Sequence, residues 1–125
     1  MKLAVCAQEE SLAAEVDQRF GRCPCFVVVD SESGDMIDSI CNVHAEAAGG
    51  AGPQCTQLLA ESGVEAVALG NVGPKAATAL EAAKIMIYTG VEGTVENTVQ
   101  RFNEGKLSPV SQATVSAHSG LRGKR

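Results

Sequence analysis

From residue 49 onward, the chain alternates glycine-rich turns with helical segments and short apolar runs. The turns read GGAGP, GNVGP and TGVEGT. The helices that follow them are predicted to begin near Pro53, Pro74 and Thr94, because proline is favoured in the first helical turn and threonine as an N-cap. Helices that alternate with short buried strands are typical of parallel βα units. The second half of the chain therefore predicts an α/β fold.

The first half of the chain supplies three further strands. Two of them flank the turn SESGD and form a predicted hairpin. The pattern indicates a mixed α/β sheet of five strands, with strand two antiparallel to the rest and helices on the faces. One domain is expected over residues 1–110, followed by a mobile tail over residues 111–125, where periodicity is lost. The predicted strands are residues 2–7, 24–30, 35–43, 65–70 and 85–90.

Charge and composition exclude several classes of function. The net charge of −5 would repel a phosphate backbone, so no nucleic-acid partner is expected. The opening MKLAVCAQEE contains too few apolar residues for a signal peptide or a membrane span, so we expect a cytoplasmic protein with no membrane partner. Five cysteines in such a chain are expected to be reduced, which makes a disulfide scaffold improbable.

The three glycine-bearing turns lie at one end of the predicted sheet, because parallel strands share a direction. Their helix N-termini would offer unpaired N–H groups and partial positive charge to an anion. The alternative is that the turns serve only as tight connections. No Walker motif or GxGxxG fingerprint accompanies them, so nucleotide binding is not indicated. The candidate anion-binding residues of these turns are Gly49, Gly50, Gly52, Gly70, Asn71, Gly73, Gly93 and Thr94.

Cys23 and Cys25 flank Pro24 immediately before an apolar run. Proline favours an extended tripeptide, which would place both thiols on one side with β-carbons about 6.6 Å apart. This separation is poor for a disulfide and leaves two interpretations open: ligands to one metal or cluster, or packing. Arg19 and Arg22 would favour thiolates or attract an anionic ligand.

The remaining thiols and histidines carry weaker signals. Cys6, Cys41 and Cys55 are more often packing residues than ligands when considered singly. His44 could reach the mouth of the turn cluster as a ligand, whereas His118 belongs to the predicted tail. The spacing favours neither a structural zinc site nor a hydrolase.

The motifs FGRCPCFVVVD, GGAGPQ, GNVGPKA and EGTVENTVQRFNEGKLSPV occur in this order over residues 1 to about 110. This ordered set resembles the dinitrogenase iron-molybdenum cofactor biosynthesis family, which includes nitrogenase accessory proteins and the orange protein of sulfate reducers. The resemblance implies a ribonuclease-H-like fold without nuclease carboxylates. It also implies binding or carriage of a metal-sulfur cluster containing molybdenum with iron or copper.

These observations predict a non-catalytic binding or carrier protein for an anionic metal-sulfur cluster that contains molybdenum or iron. Arg19 and Arg22 would supply charge, and Cys23, Cys25 and His44 are the candidate metal ligands. Because a bulky cluster cannot enter a closed core, Cys23 is expected to be exposed and Cys25 partly buried. Two alternatives stay open: a thiol-dependent small-molecule enzyme that uses Cys23, or a regulatory interaction module. Partners implied by the resemblance are cofactor-assembly proteins or a MinD-like ATPase.

Overall fold

The computed structural model describes residues 1–43, 45 and 51–110. His44, Gly49, Gly50 and the predicted tail lie outside the described residues. The described chain forms six strands and three helices in the order β1 (Lys2–Ala7), β2 (Cys25–Asp30), β3 (Met36–Cys41), α1 (Ala51–Glu61), β4 (Ala66–Ala68), α2 (Pro74–Ala82), β5 (Met86–Thr89), α3 (Val95–Asn103) and β6 (Ser108–Val110).

All six strands belong to one mixed sheet with the order β3-β2-β1-β4-β5-β6. β1, β4 and β5 are parallel, and β2 is antiparallel to both of its neighbours, as predicted. The count of five strands is wrong, because β6 adds a sixth strand beside β5. β6 pairs antiparallel with β5 and therefore runs in the same direction as β2, so the prediction that β2 is antiparallel to all other strands is also wrong. β6 has only three residues, including Pro109, which suits an edge strand but gives no alternating pattern to recognise. The ribonuclease-H-like description stays a prediction.

The helices cover both faces of the sheet and bury a core of small aliphatic side chains. α1 and α2 pack on one face, where Leu59 and Leu80 meet Val67 of β4. α3 packs on the opposite face, where Val95 and Val99 join a second cluster. Chains of this size bury most of their apolar surface, so two such clusters suffice without disulfides. The sheet is therefore the middle layer of three.

The helix starts agree with the prediction. α2 begins at Pro74, and Pro53 is the third residue of α1. Thr94 is the N-cap of α3, where its hydroxyl accepts a hydrogen bond from the backbone N–H of Asn97 at 3.1 Å. None of these described helices is long and apolar enough to cross a membrane.

The segment between β1 and β2 connects the ends of the central strands. A β-bridge joins Glu15 to Thr94, and another joins Arg19 to Asn71. Gln18 lies so close to Gly70 that a β-carbon on the glycine would come within 2.8 Å of the Gln18 α-carbon. This segment therefore holds the turns before α2 and α3 in place.

Candidate functional site

A cavity of about 410 Å³ opens between the N-terminal turns of α1 and α2. We call this cavity the basic pocket. Its three walls are the turn at residues 20–22, the start of α1 at residues 51–53 and the start of α2 at residues 73–76. Of the sequence-predicted residues, Arg22, Gly52 and Gly73 line it.

Two glycines allow the walls to approach each other. A β-carbon on Gly52 would lie 2.6 Å from the β-carbon of Ala76, so α1 and α2 are in contact where the pocket begins. Gly21 has φ +91°, and a side chain there would press on the backbone of Gly52 at 3.3 Å. The close packing of backbones brings both helix N-termini to one opening.

The charge of the basic pocket is positive. Arg22 and Lys75 line it, and none of the described lining residues is acidic. The N-cap of α2 is Gly73, with extended backbone angles and no side-chain hydrogen bond to the helix. The first N–H groups of α2 are therefore not satisfied by a capping side chain, and they add to the positive potential.

Arg22 is held by backbone carbonyls of its own turn and of the connection that follows β3. Its amide donates to the Phe20 carbonyl at 2.9 Å, and its Nη1 donates to the Ala45 carbonyl at 3.0 Å. The guanidinium thus stands between the pocket and the connection that follows β3. This placement fits the predicted role of Arg22 as a source of positive charge.

Arg19 does not line the basic pocket. Its Nε and Nη2 donate to the two carboxylate oxygens of Asp17, each at 3.0 Å. Burial alone would raise the pKa of Asp17, but the hydrogen bonds from Arg19 outweigh it and lower that pKa. Because the charge of Arg19 is compensated by Asp17, the prediction that it supplies charge to an anion site has no support in this geometry.

The third turn lies on the other side of the sheet. Gly93 lines a separate depression next to α3, together with Glu92 and Glu104. Thr94 already engages its helix through a reciprocal capping box with Asn97. The prediction that all three turns share one depression is wrong. The turns lie at the same end of the sheet, but α3 packs on the face opposite to α1 and α2.

Cys23 and Cys25 are both buried, with exposures of 0% and 3%. The expectation of an exposed Cys23 is wrong, and so is the expectation that the two thiols share a side. Cys23 belongs to the core cluster under α1 and α2, whereas Cys25 belongs to the cluster under α3. The reason is local: β2 begins only at Cys25, so Cys23 lies in the preceding turn and does not follow strand alternation.

Burial also changes the chemistry of the thiols. It raises the pKa of Cys25 to about 11 and that of Cys55 to about 12. Burial, followed by a hydrogen bond with Cys23, raises the pKa of Cys6 well above its ordinary value. Thiols in this state are protonated at neutral pH and are poor ligands and nucleophiles. Cys41, expected to pack, is instead exposed.

The remaining predicted residues lie elsewhere or outside the described chain. Gly70 and Asn71 precede the pocket wall and contact the segment containing Gln18 and Arg19. Across residues 1–43, 45 and 51–110, no three histidine, cysteine or acidic side chains are grouped so that they could hold a metal ion. A site for an isolated metal ion therefore has no support among these residues.

Sequence reasoning missed Lys75, which lines the basic pocket directly after Pro74. A signal for it exists in the sequence. A cation in the first turn of a helix opposes the helix dipole, so lysine is electrostatically unfavourable at that position unless something compensates for it.

Comparisons with known proteins agree with this architecture. The family model for the dinitrogenase iron-molybdenum cofactor matches residues 1–105. The apo form of the orange protein from Desulfovibrio gigas superposes with a TM-score of 0.86 at 38% identity, over 91% of this chain and 96% of that one. A Thermotoga protein described as a candidate NifB, solved by NMR, gives 0.78 at 33% identity, over 91% and 97%.

A curated relative agrees as well. An uncharacterized protein of Methanocaldococcus jannaschii is 32% identical over 90 residues, which are 70% of this chain and 76% of that protein. With the family model matching most of the chain, the protein belongs to the dinitrogenase iron-molybdenum cofactor family.

Proposed function

We propose that this protein is a non-catalytic carrier of an anionic metal-sulfur cluster containing molybdenum with iron or copper, and that the cluster binds in the basic pocket. The observation that carries the proposal is the pocket itself: two helix N-termini, Arg22 and Lys75 surround one cavity in a chain whose net charge is −5. A cavity lined by cations in a protein that is acidic as a whole favours an anionic ligand. The family and the similarity to the orange protein support the cluster as that ligand.

The cluster would be held by charge and hydrogen bonds rather than by thiolates. Cys23 is fully buried and Cys25 nearly so, so neither presents a sulfur to the pocket. Arg22, Lys75 and the N–H groups at the start of α2 can instead donate to the sulfides of a preassembled cluster. Direct ligation by Cys23 or Cys25 is therefore not part of the proposal.

A second depression beside α3, distinct from the one lined by Gly93, is unsuitable for the same ligand. It has a volume of about 620 Å³, and its lining includes Glu32, Asp35, Glu96 and Glu104. Four carboxylates would repel an anionic cluster. Charge rather than volume therefore selects the basic pocket.

The alternative functions receive less support. A thiol enzyme would need Cys23 to meet its substrate, but that side chain is enclosed in the core. The comparisons give no support to a MinD-like ATPase as a partner, whereas the family supports cofactor-assembly proteins as the source or destination of the cluster.

Anaerobic reconstitution tests the proposal. The chain, incubated with tetrathiomolybdate as a sulfide-bearing probe, should bind it with a shifted visible absorption. The double variant Arg22→Gln with Lys75→Gln should lose at least about tenfold in affinity, because two charge-assisted hydrogen bonds are removed. Lys84→Gln combined with Lys106→Gln is the matched control, since it also removes two positive charges, and neither residue lines the basic pocket. Equal losses in the double variant and the control would overturn the assignment of the pocket.

A further inference from the structure

Asn42 directly follows β3 and is almost fully buried, and its side chain contacts the turn that carries Arg22. The two hydrogens of Nδ2 are donated to the carbonyl of Gly21 at 3.0 Å and to that of Cys23 at 2.8 Å. These carbonyls belong to the residues on either side of Arg22. The side-chain amide of Asn42 therefore bridges the peptide groups on either side of Arg22.

The other polar groups of Asn42 bind the same region. Its backbone N–H donates to the Pro24 carbonyl at 3.0 Å, and its Oδ1 accepts a hydrogen bond from the Cys55 thiol at 3.1 Å. Cys55 belongs to α1, the helix whose start forms the second wall of the pocket. One side chain thus joins the Arg22 turn, the end of β3 and α1.

We propose that Asn42 is a positioning residue for the basic pocket, which holds the turn at residues 21–24 so that Arg22 faces the bound anion. This inference rests on the proposed function. The turn is neither helix nor strand, and it contains Gly21 with φ +91°. The N–H groups of Arg22 and Cys23 are bonded to carbonyls of residues 19 and 20. The carbonyls of Gly21 and Cys23 instead accept from Asn42, so this side chain fixes the orientation of the peptide groups on either side of Arg22.

Asn42→Asp tests the donors specifically. Aspartate has the size of asparagine, but its carboxylate only accepts hydrogen bonds and would oppose the carbonyls of Gly21 and Cys23. Asn103→Asp is a control for the loss of an amide donor, because Asn103 Nδ2 also donates to a carbonyl, that of Ser31 at 2.7 Å, away from the basic pocket. If Asn42→Asp fails to fold, Asn42→Leu removes the same donors without introducing a charge.

A double-mutant cycle separates positioning from a merely structural role. Asn42→Asp should weaken tetrathiomolybdate binding about fivefold in the parent, but less than about twofold when Arg22 is already glutamine, since coupled residues are not additive. In the Lys75→Gln background the fivefold loss should persist. In the ligand-free protein, amide hydrogen exchange at Arg22 and Cys23 should accelerate in Asn42→Asp and not in Asn103→Asp.

The outcomes distinguish the two proposals. A parent chain that does not bind the probe would overturn the proposed function, and with it the role of Asn42 in binding. A parent that binds, combined with a fivefold loss that persists in the Arg22→Gln background or unchanged exchange at Arg22, would overturn the role of Asn42 alone.

Discussion

The N-termini of α2 and α3 follow turns that look alike in the sequence but differ in how their N–H groups are used. Thr94 caps α3, and Asn97 completes a reciprocal pair of hydrogen bonds, each 3.1 Å long. Gly73 caps α2 with no side-chain hydrogen bond. A glycine turn before a helix is therefore not a binding site in itself, because the side chains beside it decide whether its donors are already occupied.

The charged side chains in the first turns of α2 and α3 show the same contrast. α3 carries Glu96 in its first turn, which complements the positive end of the helix. α2 carries Lys75 there, with no acidic residue in its first turn. The N–H groups and the dipole of α3 are therefore complemented by its own side chains, whereas those at the start of α2 are not.

The largest expected effect concerns the close approach of α1 and α2 at the pocket. Gly52→Ala would place a β-carbon 2.6 Å from that of Ala76, and overpacking of this kind lowers the free energy of unfolding by up to about 3 kcal/mol. Gly73→Ala is the control, since no atom lies within 4 Å of the added carbon. Chemical denaturation should show a clearly larger loss for Gly52→Ala, and equal losses would contradict the contact.

The segment that links the two turns should respond to acid through Asp17. Its pKa is lowered in the folded state, so its stabilising contribution is complete above the pKa of the unfolded chain, about 4, and is lost as pH falls through the folded value. Asp17→Asn should lower the free energy of unfolding at neutral pH by about 2 kcal/mol, because hydrogen bonds to a charged group are broken.

Denaturation curves from pH 7 to pH 2 check this prediction. The parent should lose stability relative to Asp17→Asn as the carboxylate is protonated. Parallel curves would show that Asp17 has the same pKa in the folded and unfolded chains.

A capping carboxylate should convert the start of α2 into one that resembles α3. Gly73→Asp has room for its side chain and the extended backbone of an N-cap, so the chain should fold normally. The new carboxylate would occupy the free N–H groups and repel an anion, with an expected loss of about tenfold or more in tetrathiomolybdate affinity. Gly73→Asn separates charge from occupancy, and unchanged affinity in both variants would exclude the start of α2 from the site.

Removing the cap of α3 should affect stability alone. Thr94→Ala removes the hydroxyl that accepts from the Asn97 backbone N–H and should lower the free energy of unfolding by about 1 kcal/mol. Binding of the probe should not change, because Thr94 lies outside the basic pocket. A coupled loss of affinity would mean that the two turns do act as one site.

Much of the fold can be predicted from local sequence patterns. The starts at Pro74 and Thr94 are fixed by proline geometry and threonine capping, and the direction of β2 by a hairpin turn. β6 is missed because three residues paired with β5 depend on tertiary contact rather than on periodicity.

The site is less predictable because it depends on which face each helix covers. Strand alternation misplaces Cys23, since the strand begins two residues later. The pairing of Arg19 with Asp17 and the support of Arg22 by Asn42 join residues whose contacts only the folded turn creates. Lys75, in contrast, can be recognised from the sequence, because a cation in the first turn of a helix opposes the helix dipole.

The smallest expected effect concerns the contribution of N-capping at α2 to the free energy of unfolding. Gly73→Ser supplies a neutral hydroxyl at an N-cap with extended angles, and replacing glycine by serine there should raise the free energy of unfolding by a few tenths of a kcal/mol. The gain arises because the hydroxyl accepts from N–H groups to which no side chain in the described part of the parent chain is hydrogen-bonded. Bound tetrathiomolybdate satisfies the same groups, so the stabilisation by serine should shrink in the presence of saturating probe. Thermal unfolding with and without probe measures the difference. A gain of the same size in both conditions would mean that the anion and the cap use different donors.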